Sequence, residues 1–76
     1  MNNTRRKELG RLAAQLEEVK DALENLKGEE EEYLENMPES IQGSERGERA
    51  GEAIDNMDTA LGALDEAISC MENAQE

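Results

Sequence analysis

Apolar residues recur at intervals of three and four along almost the whole chain, and this period restricts the fold more than any other feature. From Leu9 they fall at Leu12, Leu16, Val19, Leu23, Leu26, Tyr33 and Met37, with Glu30 alone interrupting. A second series runs Ala50, Ile54, Met57, Leu61, Leu64, Ile68 and Met71, with Gly47 and Gln75 at its ends. This is the 3.5-residue repeat of helices packed along a seam, incompatible with the strict alternation of a strand. Ala53, Ala60, Ala67 and Ala74 repeat every seventh residue beside the second series and widen its apolar face. A face that wide suits a bundle of more than two helices.

The series are separated by the only proline, Pro38, which disfavours helical geometry at Met37. Ser44 is an N-cap residue followed by the acidic Glu45, so a second helix is expected to start there. The sequence therefore predicts one all-α domain over residues 1–76, an antiparallel helical hairpin of coiled-coil character. Its helices are expected at about 5–36 and 44–74, with the turn at about 37–43. At 76 residues the core of such a hairpin is thin, so dimerisation into a four-helix bundle is the natural completion.

Charge placement supports the antiparallel arrangement. Arg5, Arg6, Lys7 and Arg11 open the first helix while Glu72 and Glu76 close the second, and each set has the wrong sign for its own helix dipole. At the turn, Glu29, Glu30, Glu31, Glu32 and Glu35 precede Arg46 and Arg49 in the same inverted sense. Folding the hairpin converts both mismatches into complementary pairs. Lys20 and Lys27 flank the first seam, facing Asp58, Asp65 and Glu72 on the second. Two registers satisfy the pattern. One sets Tyr33 against Gly47 and Glu30 near Ala50; the other, slipped by a heptad, sets Tyr33 against Ile54 and Glu30 near Met57. The first shortens the loop and packs large against small, and is the expected register.

Gly43, Gly47 and Gly51 form a smooth strip at the start of the second helix, where Gly47 and Gly51 together cost roughly 2 kcal/mol relative to alanine. Close packing of Tyr33 or of another protomer's helix on the backbone would offset that cost. A ligand approaching Gln42, Ser44, Arg46, Gly47 and Arg49 would offset it too, since a helix N-terminus with a hydroxyl and two guanidinium groups suits an anion. In an antiparallel pair of hairpins, Arg5, Arg6 and Arg11 of one copy would add to that pocket, with Tyr33 at its edge. The blander reading is that these arginines only neutralise neighbouring carboxylates.

Composition narrows the function classes. The chain has no histidine, so neither imidazole acid-base chemistry nor a Glu-x-x-His di-iron bundle is available, and no cofactor or metal is expected. Glu29 to Glu32 lack the spaced ligands and central glycine of a calcium loop. The single cysteine, Cys70, cannot form an internal disulfide, and no apolar run suggests a membrane span or leader, so a reducing, cytoplasmic setting is expected. The first eleven residues carry four cations against one carboxylate; the remainder carry nineteen carboxylates against four cations. An elongated acidic rod can imitate a nucleic-acid duplex in a basic groove, or be a solvated face; direct binding to nucleic acid is disfavoured by like charge.

The segment "NMPESIQGSERGERAGEAIDNMDTALGALDEAI", residues 36 to 68, resembles a group of small acidic helical-hairpin proteins of phages and mobile elements, whose charged helices flank a Pro-Glu-Ser-x-Gln-x-Ser-x-Arg-Gly-Glu connection. The resemblance transfers no activity onto Pro38, Ser40, Gln42, Ser44, Arg46 or Gly47. It implies a setting in a bacterial host cell, where small phage proteins act stoichiometrically on host machinery, anti-phage defences included. The expectation is a non-enzymatic, homo-oligomeric binding protein that blocks or sequesters a host protein or a small anionic nucleotide signal. The alternative is a structural coiled-coil adaptor that recruits a partner helix.

Overall fold

A computed structural model describes the whole chain, Met1–Glu76. Two long helices, α1 (Asn3–Glu35) and α3 (Glu45–Ala74), are joined through a single helical turn, α2 (Glu39–Gln42). α1 begins at Asn2, whose extended backbone lets its side-chain oxygen accept the Arg5 N–H at 2.8 Å. It ends ahead of Pro38, as expected, but the connection is not a plain loop: Ile41 and Gln42 donate to the Pro38 carbonyl at 2.8 and 3.0 Å and close α2. The hairpin measures 58 × 14 × 12 Å.

Lys20 reaches Asp65 at 2.6 Å, and Lys27 pairs with Asp58. These two contacts between α1 and α3 run in opposite senses along the helices and establish the antiparallel pairing. They also correct the register. With Lys20 level with Asp65 and Lys27 with Asp58, Glu30 falls level with Asp55 and Tyr33 with Glu52, about five residues from the expected alignment and two from the slipped one. The expected turn, residues 37–43, is where α2 forms. Glu30, Tyr33 and Met57 line one surface depression.

The seam on α1 is also rolled from the expected one. Leu9, Leu16, Leu23 and Met37 are partly or fully covered, and so, on the same side, are Ala13, Lys20, Lys27 and Leu34. Leu12, Val19, Leu26 and Tyr33 are left 43%, 52%, 55% and 44% exposed. The cause lies in the flanking residues. The lysine stems lie against α3 to deliver their ammonium groups to the aspartates, keeping only 24% and 23% side-chain exposure. Ala13 is small enough for close approach, and together these contacts turn the next row of α1 outward. The buried apolar residues are Ala13, Met37, Ala50 and Ile68.

Candidate functional site

The turn end of the hairpin gathers Tyr33, Gln42, Ser44, Arg46, Gly47 and Arg49, and the structure gives several of them roles in shaping the chain. The Gln42 amide donates to the carbonyls of Met37 at 2.9 Å and Leu34 at 3.3 Å, tying the connection to the end of α1, where Leu34 also accepts the Met37 N–H at 3.2 Å. Ser44 has the extended backbone of an N-cap, but its hydroxyl makes no capping bond to α3 and instead donates back to the Ile41 carbonyl. The expected side-chain cap is therefore absent, because α2 offers a nearer acceptor.

Gly47 is buried against this turn. A β-carbon there would overlap the Gln42 carbonyl and lie 2.8 Å from the Gln42 α-carbon. The close approach expected of this glycine is thus made by the chain's own connection, and neither Tyr33 nor a second protomer is needed to explain it. Gly43 and Gly51 have open space where a side chain would stand.

Arg46 donates to the Tyr33 hydroxyl at 2.9 Å, and Arg49 pairs with Glu45 one turn earlier on α3. Tyr33, Arg46 and Arg49, with Glu30 and Ala50, line an open cavity of about 240 Å³. Its charge is mixed: two guanidinium groups face a carboxylate, and Arg49 is already engaged. A small anion entering it would need to displace Glu45 from Arg49 and tolerate Glu30.

Arg5, Arg6 and Arg11 lie at the opposite end of the 58 Å hairpin, so a single chain does not bring them to the turn. Arg11 pairs with Glu8 at 2.9 Å, and Arg6 donates to the Asn3 side chain at 3.1 Å. The Arg11 hydrogen bond holds the Glu8 carboxyl below its ordinary range, and Glu8 raises Arg11 in return. Hydrogen bonds to Asp65 and Asp58 likewise raise Lys20 and Lys27, against a smaller opposing effect of desolvation.

Two features were not legible as site candidates. One is the exposed apolar row on α1, which the heptad pattern assigns to the seam. The other is the inward turn of the lysines: each is mostly covered while its aspartate remains 58% exposed. Cys70 is exposed, no three acidic or sulfur side chains are grouped to hold a metal ion, and no helix is long and apolar enough to cross a membrane. No protein family, curated protein or solved structure matches the chain.

Proposed function

We propose that this chain is a non-enzymatic, self-associating acidic protein of a phage or mobile element, which completes a four-helix bundle and occupies a basic, nucleic-acid-binding surface on a host protein. The observation that carries this reading is the sidedness of its charge. The two mid-chain lysines are spent on contacts within the hairpin, Arg11 and Arg49 on neighbours in their own helices, and the carboxylates face outward along 58 Å.

The linear charge density makes dimerisation part of the mechanism. One hairpin, with net charge −12 over 58 Å, carries about one net charge per 5 Å. Two side by side carry about one per 2.4 Å, approaching the duplex value of about one per 1.7 Å. Such a rod is attracted to a groove built to neutralise phosphates, and the attraction weakens with salt.

A second reading, capture of a small anionic nucleotide, is favoured by the Tyr33, Arg46 and Arg49 cavity alone. The two mechanisms separate by mutation. The protein is immobilised and exposed to bacterial lysate, and the retained fraction is challenged with duplex DNA and rising salt. Mimicry predicts basic proteins released by both, lost on neutralising Glu17, Glu24, Glu52 and Glu66 to Gln, and undiminished in an Arg46→Ala, Arg49→Ala variant. Retention indifferent to DNA and salt overturns mimicry. A nucleotide freed by denaturing the wild type and missing from the arginine variant assigns the function to anion capture.

A further inference from the structure

Leu12, Val19, Leu26 and Tyr33 form a row about 32 Å long on one side of α1, each about half exposed. On the lattice set by the two lysine-aspartate pairs, this row adjoins the edge of α3 that carries Ala53, Ala60, Ala67 and Ala74. We infer that this combined face is the contact between two copies of the chain, packed with their turns at opposite ends about a two-fold axis close to Ala22. Leu12 of one copy then lies level with Tyr33 of the other, and Val19 with Leu26. The inference deepens the self-association on which the proposed function relies and names its surface.

Symmetry supports it first. A two-fold axis across the hairpin requires both rows to be centred at one level. The row on α1 is centred between Ala22 and Leu23, and the alanine row on α3 between Ala63 and Leu64. The Lys20–Asp65 and Lys27–Asp58 pairs place Ala22 and Leu23 level with Gly62 and Ala63, within about one residue of the alanine centre. Apolar rows therefore meet apolar rows along their full length, with small residues where the two α3 helices approach.

The polar residues beside the row complement one another under the same operation. Reversal about Ala22 sets Gln15 level with Glu29 and Glu8 level with Asn36, and brings Arg11 within about one residue of Glu32 and Glu18 within about one of Asn25. Each carboxylate in this set meets a cation or an amide, and none meets another carboxylate. The ends agree. Residues 29–49 hold eight carboxylates against two arginines, whereas the far end of the hairpin, residues 1–11 with 66–76, is balanced at four of each sign. Opposed ends bring the acidic turn against the balanced end; turns at the same end would bring two acidic turns together. A strip about 32 Å long and two helices wide covers on the order of 600 Å² per copy, at the lower edge of what stable dimers bury.

Cysteine mapping in a Cys70→Ser background tests this, with diamide as the oxidant and sedimentation equilibrium for mass. Ala22→Cys is expected to crosslink to itself. Leu12→Cys is expected to crosslink when mixed with Tyr33→Cys and not alone. Ala22→Arg, at a site exposed in the single hairpin, is expected to keep the helical circular dichroism while weakening dimerisation at least tenfold. A wild-type protein that is helical and monomeric at micromolar concentration overturns both this face and the self-association beneath the proposed function. A dimer that survives Ala22→Arg, with no Ala22→Cys crosslink, overturns this face alone. Self-crosslinking of Leu12→Cys without crosslinking to Tyr33→Cys overturns the opposed orientation.

Discussion

Replacing Gly47 with alanine should destabilise the hairpin, and replacing Gly51 four residues later should stabilise it, although helix propensity favours alanine equally at both. The propensity gain is about 1 kcal/mol at each position. At Gly51 nothing lies within 4 Å of the new methyl group, so the gain stands. At Gly47 the methyl would overlap the Gln42 carbonyl, and backbone cannot swing aside as a side chain can. Relief requires α2 to move. Overpacking of this kind costs about 1–3 kcal/mol, and displacing Gln42 loosens its two hydrogen bonds to the end of α1, worth about 1 kcal/mol each. Set against the propensity gain, the net loss is about 1–4 kcal/mol. In a domain of this size 1 kcal/mol moves Tm by about 4–8 °C. Thermal unfolding followed by circular dichroism at fixed protein concentration should therefore show Gly51→Ala several degrees above wild type and Gly47→Ala at least several degrees below it. A Gly47→Ala protein as stable as Gly51→Ala would refute the close turn and with it the placement of α2.

Three further outcomes follow from the packing. Ile68, only 4% exposed, should cost about 2.5–4 kcal/mol when cut to alanine, a large share of the stability available to 76 residues and readable as a lower urea midpoint. In the Lys27 and Asp58 pair, Lys27→Asp should weaken the fold and adding Asp58→Lys should restore part of the loss, a coupling below about 1 kcal/mol in a double-mutant cycle because the Asp58 carboxylate stays open to solvent. Since Asp65 and Asp58 raise Lys20 and Lys27, these pairs contribute fully below the ordinary lysine value of 10.5 and lose their contribution as pH climbs through the raised values. An alkaline titration of Tm should accordingly fall less steeply in a Lys20→Met, Lys27→Met variant.

The two helices, their direction and the lysine-aspartate flank could be read from the sequence because each rests on a repeated signal: a seven-residue period and an inverted charge pattern at both ends. The register could not. Slipping by one heptad leaves every apolar position on the seam and every lysine opposite an acid, so the choice falls to the connection, where Ile41 and Gln42 fold back on the Pro38 carbonyl. The roll of α1 was hidden for a related reason. Leu12, Val19, Leu26 and Tyr33 carry the same period as Leu9, Leu16 and Leu23, and the small side chain of Ala13 and the long lysine stems decide which row is covered. At the turn, residue types suggested an anion site, while the geometry spends Gln42 and Ser44 on backbone carbonyls and Arg46 on the Tyr33 hydroxyl. Of the expected site residues, Tyr33, Arg46 and Arg49 remain at a cavity, beside Glu30.

In the hairpin α1 and α3 double back on each other, bringing Asp21 within about two residues of the level of Glu66. Pulsed electron-electron resonance between spin labels at Asp21→Cys and Glu66→Cys, in a Cys70→Ser background diluted with unlabelled protein, tests it most directly. Packed helices lie about 8–10 Å apart, so outward labels should give a narrow distribution below about 30 Å. A continuous helix would separate the sites by about 68 Å; a peak near that value, or a broad distribution without a short component, would contradict the fold.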